Sequence, residues 1–274
     1  MNRISIFLII FLMFSTLVWA KNCLWLNGSA SHLYYEEREE GEIVDKDHGW
    51  MGGFGLGISS EINNIFGKAE FNWARTKEAT YKGATQEGIP IEVSNIIETI
   101  WNVEGDIGYI LRLSHNLKIT PYLGLGYRRW RRGQFQLIPT SLGYAFGYKE
   151  VYRWGYGIIG LNSEYEKDKY DIDFDFGIFL PFAREMTAYF NEIDEQCSNP
   201  KFDLGFRPGM KLQMCIAYEF IKKWAVFIRP TYEWWQIGKS GMVTLEYNGQ
   251  SIEIYEPESS THFWVIPIGL RYIF

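Results

Sequence analysis

The chain has 274 residues, of which 47% are hydrophobic and 18% aromatic, and its mean hydropathy is −0.17. Its 33 acidic residues outnumber its 27 basic residues, which gives a formal net charge of −6 and argues against nucleic-acid binding. The three cysteines, Cys23, Cys197 and Cys215, are too few and too scattered for a disulfide framework, so we expect no bridge within the chain.

The first 20 residues have the composition of a secretory signal peptide. Arg3 supplies a positive charge, an apolar run follows over residues 4–18, and Ala20 ends a small-residue cleavage site. The apolar run is shorter than the roughly 20 residues that a membrane-spanning helix needs. We therefore predict a signal peptide over 1–20 and a single mature domain over 21–274.

Alternating apolar residues predict ten β-strands in the mature domain. The predicted strands are 24–35, 50–59, 67–76, 99–113, 117–129, 148–161, 170–182, 209–220, 224–235 and 262–274. Short connections over 61–66, 114–116, 162–169 and 221–223 alternate with long ones over 36–49, 77–98, 130–147, 183–208 and 236–261. This order of elements predicts consecutive hairpins.

The strand over 170–182 indicates which face meets lipid. Every second residue from Tyr170 to Phe182 is aromatic or aliphatic, whereas Asp171, Asp173 and Asp175 lie on the other face. A carboxylate that faces hydrocarbon costs several kcal/mol, so the aspartate face should line an interior. The pattern predicts the all-β class and a transmembrane antiparallel up-and-down β-barrel of ten strands, with eight or twelve as alternatives.

Two segments carry a family resemblance. The sequence PYLGLGY over 121–127 and the terminal IGLRYIF over 268–274 resemble outer-membrane β-barrel proteins of Gram-negative bacteria. Among these outer-membrane proteins, the chain is similar to the small eight- to ten-stranded class of OmpA-type barrels, Opa-type adhesins and omptins. The resemblance implies export to the cell outer membrane, with the short connections as periplasmic turns and the long ones as extracellular loops. It also implies folding by the barrel-assembly machinery, with Tyr272 and Phe274 as the assembly signal.

The predicted register places charges of both signs in the lumen. The candidate lumen charges are Glu104, Asp106, Arg112, Arg128, Asp171, Asp173, Asp175, Lys211, Arg229, Glu233 and Arg271. A ten-stranded barrel is only slightly wider than an eight-stranded one, whose side chains fill it, so opposite charges should pair and block the lumen. The alternative is a narrow solute path in which Asp171, Asp173 and Asp175 attract cations near the periplasmic end, with Arg112 and Arg271 at a similar depth.

A dense basic cluster ends the strand over 117–129. Arg129, Arg131 and Arg132 follow Arg128 just above the predicted aromatic girdle. Because arginine binds phosphate through two parallel hydrogen bonds, these three are candidates for contact with lipopolysaccharide. Pairing with the acidic loops is the alternative.

Catalysis would need a carboxylate beside a histidine at the extracellular rim, as the omptin resemblance implies. Asp45, Asp47 and His48 occur together in the first long connection, but the many glutamates around them favour a solvated acidic loop. We predict no catalytic residue, no cofactor and no metal.

The expected function is that of a non-enzymatic surface barrel whose loops carry interaction or adhesion. Its expected partners are outer-membrane lipid, lipopolysaccharide and a host or extracellular ligand. A narrow porin-like channel and an omptin-like rim protease are the alternatives.

Overall fold

A computed structural model describes residues 21–84, 90–133, 138–140, 143–145 and 147–274. The predicted signal peptide lies outside these described residues. Within them, no helix is both long and apolar enough to cross a membrane. The three cysteines have free thiols, and Cys23 and Cys215 are buried on different strands.

Ten long strands make up the wall. They are β1 (Lys21–Glu39), β2 (Glu42–Ile62), β3 (Ile65–Ala84), β4 (Pro90–Tyr109, continued by Leu111–Arg112), β5 (Leu117–Arg132), β6 (Lys149–Lys167), β7 (Tyr170–Tyr189), β8 (Gly209–Ile221), β9 (Trp224–Ile228, continued by Thr231–Ile237) and β10 (Glu258–Ile273). Shorter strands lie in the connections: Ile138–Thr140 pairs with Gly143–Ala145, Lys201–Asp203 pairs with the upper part of β7, and Val243–Tyr247 pairs with Gln250–Ile254.

The wall closes on itself. Each strand pairs antiparallel with the next, and β10 returns to β1 over a register that runs from Cys23–Ile273 to Arg38–Glu258. At the seam, the backbone of Asn22 exchanges two hydrogen bonds with Phe274, at 3.2 and 3.0 Å. Closure satisfies the backbone groups of every strand edge, as a structure surrounded by lipid requires. The predicted antiparallel up-and-down barrel is therefore confirmed.

The outer surface carries an apolar band between two rings of aromatic residues. Within the band, Leu125 is 67% exposed and Ile268 is 62% exposed, as lipid-facing residues should be. Outward aromatic residues border the band on both sides. They are Trp50, Trp73, Trp101, Tyr127 and Trp264 toward the extracellular end, and Tyr109, Tyr165, Tyr170, Tyr218, Trp224 and Tyr272 toward the periplasmic end.

The wall continues well above the extracellular ring, so the prediction of long loops over 36–49 and 77–98 is wrong. β1 and β2 extend to a two-residue turn at Glu40 and Gly41, whose φ angles of 51° and 88° suit a tight hairpin. Likewise, β3 extends to Ala84 and β4 begins at Pro90. Above the membrane both faces of a strand tolerate polar side chains, so the alternation that indicates a strand in lipid disappears there.

Candidate functional site

Buried ion pairs fill the middle of the lumen. Lys211 on β8 is 2% exposed, and its Nζ lies 2.6 Å from Oε1 of Glu104 on β4. Nζ of Lys68 on β3 lies 2.9 Å from Asp106 and 3.6 Å from Glu104. Two further pairs lie at neighbouring depths: Arg229 with Glu70 and Arg128 with Glu233. A cation from one strand therefore neutralises carboxylates from others across the barrel.

The three aspartates of β7 form a column and not a ring. Residues two apart on a strand follow one another along the barrel axis, so each aspartate meets different neighbours. Asp171 pairs with Arg271 at 2.8 Å, and Asp175 accepts a hydrogen bond from the Tyr122 hydroxyl at 2.9 Å. Asp173 lies between them, beside Glu164 of β6.

Among the described residues, Glu164, Asp171 and Asp173 could offer oxygen ligands to a metal ion, since one atom from each lies within 4.8 Å of the others. Cations of the chain already pair with two of the three. Lys118 lies 2.8 Å from Glu164, and Arg271 pairs with Asp171.

Arg112 does not reach this network. It follows a break in β4 at Ile110, lies exposed at the periplasmic rim, and donates a hydrogen bond to the carbonyl of Asn63 at 3.3 Å. The prediction that Arg112 is a lumen charge is therefore wrong. Arg112 continues the alternation that begins at Asn102, but it lies beyond the periplasmic end of the lumen.

The lumen has little free volume. A cavity of ≈ 100 Å³ lies at the periplasmic end, next to Cys23, Cys215 and Arg271, and one of ≈ 50 Å³ lies near Lys211 and Thr231. Above them, the guanidinium of Arg128 packs 4.4 Å from the ring of Trp235, among further aromatic side chains from Trp154, Tyr156 and Phe179. This aromatic layer separates the ion pairs of the membrane region from the extracellular end.

Six carboxyl groups gather at the extracellular end, above the apolar band. We call them the carboxyl cluster: Glu37 (β1), Asp45 and Asp47 (β2), Glu98 (β4), Glu150 (β6) and Glu256, which precedes β10. Arg132 of β5 contacts four of them.

Arg132 donates three hydrogen bonds to carboxylates of the cluster. Nη1 lies 2.7 Å from Glu37 and 2.8 Å from Glu150, and Nε lies 2.8 Å from Asp47. The ring of Tyr35 lies 4.1 Å from the guanidinium carbon. Since one cation serves three strong ion pairs, the remaining carboxyl groups have no positive charge of their own to balance them.

The protonation of the cluster follows from this shortage of cations. Asp47 is 2% exposed and Glu98 is fully buried, yet Oδ1 of Asp47 and Oε1 of Glu98 have no hydrogen-bond partner. Burial, reinforced by the nearby Asp47, raises the pKa of Glu98 to about 8. Burial also raises the pKa of Glu150 to about 7 and that of Glu256 well above its usual range. Several members of the cluster therefore hold protons at neutral pH.

The arginines at the end of β5 divide between the two faces of the wall. Arg129 and Arg131 point outward, on the same side as Leu125 and Tyr127. Arg132 points inward and is buried in the carboxyl cluster, so its predicted contact with lipopolysaccharide is corrected in favour of the alternative, pairing with acidic side chains.

The Asp47–His48 pair is also divided. Successive residues of a strand face opposite sides, so Asp47 enters the cluster while His48 faces outward beside Trp50. The other three histidines lie elsewhere: His32 packs on Trp50, His262 is hydrogen-bonded to Tyr232 at 2.8 Å, and His115 lies in a periplasmic turn. All four histidines are described, and none lies in the interior.

Most of the carboxyl cluster escaped the sequence analysis. Glu37, Glu98 and Glu256 lie in segments predicted as loops, and charge alone did not distinguish them from solvated glutamates, whereas Glu150 lies near the start of a predicted strand. One signal was present. The i, i+2 spacing of Tyr35 with Glu37, of Asp45 with Asp47, and of Glu150 with Tyr152 is that of one strand face.

Solved structures with similar folds are outer-membrane proteins. The outer membrane protease OmpT from Escherichia coli aligns with a TM-score of 0.62 at 10% identity, over 93% of this chain and 96% of that one. The chain has the fold of outer-membrane β-barrels. The translocator domain of the autotransporter NalP from Neisseria meningitidis is less similar, with a TM-score of 0.41 at 7% identity over 94% of this chain and 91% of that one.

Ail of Yersinia pestis has a TM-score of 0.32 at 9% identity, over 92% of this chain and 99% of that one. No protein-family model matches the chain, and no curated protein sequence matches it. Because the sequence identity to OmpT is only 10%, this similarity establishes the fold alone.

Proposed function

We propose that this protein is a non-enzymatic surface barrel of the outer membrane, with a closed lumen and with extracellular loops that bind a ligand. The observation that supports it is the occupation of the described interior by ion pairs, aromatic side chains and the carboxyl cluster. The cavities of ≈ 100 Å³ and ≈ 50 Å³ lie within this interior. The binding function then resides in the extracellular loops, because loops on rigid scaffolds commonly carry binding sites.

The two alternatives have less support. A solute path would have to pass the Arg128 layer and the paired charges of Lys211 and Lys68, each of which is held by opposite charge. A rim hydrolase would need a histidine next to a carboxylate at the mouth, but His48 and Asp47 lie on opposite sides of the wall.

The test is ion conductance of the refolded chain 21–274 in a planar bilayer, after heat-modifiable gel mobility has confirmed folding. We expect no discrete conductance steps. As a matched comparison, Arg128→Ala with Glu233→Ala removes an ion pair of the aromatic layer while leaving the lipid-facing surface intact. Stable steps from the unaltered protein would overturn the closed lumen. Peptide cleavage that is lost in His48→Ala would overturn the non-enzymatic assignment.

We also propose that lipopolysaccharide contacts Arg129 and Arg131. Both point outward just above Tyr127 at the edge of the apolar band, and neither has an ion-pair partner among the described residues. Nearby, Arg153 is already bound by Glu185, at 3.2 Å. Free guanidinium groups at headgroup level suit the phosphates of the outer leaflet.

The thermal stability of the folded protein with and without lipopolysaccharide tests this contact. We expect the stabilisation by lipopolysaccharide to fall several-fold in Arg129→Ala/Arg131→Ala, and to stay unchanged in Lys201→Ala, which removes an exposed cation from the connection between β7 and β8. Equal stabilisation of all three proteins would refute the contact.

A further inference from the structure

The connection between β9 and β10 carries a separate hairpin over the mouth of the barrel. Its strands, Val243–Tyr247 and Gln250–Ile254, pair with each other in a two-stranded sheet of their own, around a turn at Asn248 and Gly249. Val243 and Ile254 pack against the aromatic core of the barrel, whereas Ile252 is 44% exposed. The hairpin therefore covers the mouth without being part of the wall.

A small number of contacts hold this hairpin in place. At its base, the amide of Ser240 donates to the carbonyl of Glu256 at 3.0 Å, and the amide of Glu256 donates to the Ser240 hydroxyl at 2.8 Å. On its side, Ser198 and Glu246 exchange two hydrogen bonds of 2.9 Å each. Breaking these bonds leaves the ladder of the barrel intact.

Glu256 connects the hairpin to the carboxyl cluster. It is 3% exposed, and its Oε1 accepts a hydrogen bond of 2.6 Å from the Tyr152 hydroxyl. The titratable and charged groups that face it come from three strands: Tyr35 and Glu37 of β1, Arg132 of β5, and Tyr148, Glu150 and Tyr152 in and just before β6. The one cation among them, Arg132, is already bound by Glu37, Asp47 and Glu150.

An ionised Glu256 would therefore be a buried anion with two anionic neighbours and no cation of its own. Such a charge is strongly disfavoured in the interior. A protonated Glu256 avoids that cost and keeps its bond to Tyr152. When the hairpin swings away, the carboxyl group reaches water and ionises at its ordinary pKa. Closing the hairpin thus takes up a proton.

We propose that this hairpin is a proton-coupled lid, which closes over the mouth with Glu256 protonated and opens when that proton is lost. The inference goes beyond the proposed function, because it depends neither on the ligand nor on the closed lumen. By linkage, the closed fraction is highest in acid and falls as the pH rises above the ordinary range of a carboxyl group.

The experiment is amide hydrogen exchange of the folded full chain at pH 5.5 and pH 8.5, expressed as protection factors so that the intrinsic effect of pH is removed. The reporting amides are those of Ser198, Ser240, Glu246 and Glu256, whose hydrogen bonds hold the lid. We expect their protection to fall at least tenfold at the higher pH, while the amides of β5 stay protected.

Matched variants distinguish the proton on Glu256 from a general effect of pH. Glu256→Gln should keep the lid protected at both pH values. Glu253→Gln, which removes an exposed carboxyl group from the same hairpin, should lose protection as the unaltered protein does. Unchanged protection of the unaltered protein, or an equal loss in Glu256→Gln, would overturn the proposal.

A covalent lock guards against a variant that fails to fold. Cys197 and Tyr247 face each other in an antiparallel bridge, so Tyr247→Cys places a second thiol opposite the native one. After oxidation the lid amides should stay protected at pH 8.5, and after reduction they should lose protection. Loss of protection at pH 8.5 in the oxidised form would also overturn the proposal, because a tethered lid cannot open.

Discussion

At the scale of single residues, the buried charges of the interior depend on their partners. Lys211 lies with its Nζ 2.6 Å from Glu104, and both side chains are only 2% exposed. Because both side chains are buried, water cannot solvate either charge when its partner is removed. The pair is therefore much more costly to break than an ion pair on the surface.

Replacing Lys211 by Met should lower the free energy of unfolding by about 3–5 kcal/mol, because the ion pairs of Glu104 are then reduced to the more distant Lys68 at 3.6 Å. The measurement is urea unfolding of the protein folded in lipid vesicles. The matched control is Lys82→Met, which breaks the exposed pair with Glu92 at 3.1 Å and should cost about 1 kcal/mol or less. Similar losses in the two variants would mean that the lumen pair contributes no more than a surface pair.

Glu98→Gln should change how stability depends on pH. The pKa of Glu98 is raised from 4.5 to about 8, so the folded protein holds a proton that the unfolded chain releases. The contribution of Glu98 to the free energy of unfolding should therefore be largest in acid and fall as the pH rises from about 4.5 to about 8. The neutral Gln removes this contribution, and the difference in stability between pH 5 and pH 9 should shrink by at least ~1.4 kcal/mol.

Unfolding at the two pH values measures this difference. Glu92→Gln serves as its control, because Glu92 is exposed and should leave the pH dependence unchanged. If Glu98→Gln and the control have the same pH dependence as the unaltered protein, Glu98 is ionised in the folded state.

At the scale of the strands, the seam between β1 and β10 is where the barrel closes. The amide of Phe274 donates to the carbonyl of Asn22 at 3.0 Å, and the ring of Phe274 stacks on Tyr272 with centroids 5.9 Å apart. Phe274 itself is half exposed at the periplasmic end of the wall. Its side chain is therefore open to the surroundings at this end, while its backbone completes the last rung.

We propose that the barrel-assembly machinery recognises Phe274, so deleting this residue should lower the amount of folded protein in the outer membrane several-fold. The heat-modifiable fraction in isolated membranes measures this. Phe274→Tyr retains an aromatic ring and should assemble normally, and refolding of the deletion variant into vesicles without the machinery should remain efficient. An unchanged amount in the membrane would count against the assembly signal.

At the scale of the whole molecule, the apolar band predicts how deeply the barrel sits in lipid. Leu123→Arg places a charge on the lipid-facing surface near the middle of the apolar band, where it should cost about 2–4 kcal/mol. Ile252→Arg introduces the same side chain at a position that is 44% exposed on the extracellular hairpin, and should have little effect. The free energy of folding into vesicles compares the two, and an equal effect would place the band outside the bilayer.

The alternation of apolar and polar residues by itself determined the barrel, the ten membrane strands and the inward position of charges such as Lys211, Asp175 and Arg229. Lipid accepts only apolar side chains, so within the band one face of each strand is dictated residue by residue. The same rule failed above the band, where water accepts both faces, and the upper ends of β1 to β4 were mistaken for loops.

Only the tertiary structure decided which charges meet. Lys211 and Glu104 are 107 positions apart, and closure of the barrel brings them to 2.6 Å. Closure also places Arg132 in the interior, where it is the single cation of the carboxyl cluster, although the sequence had suggested contact with lipopolysaccharide. It places Glu256 in the same cluster. A strand pattern specifies the face on which a side chain lies, but its neighbours across the lumen depend on the curvature and register of the whole wall.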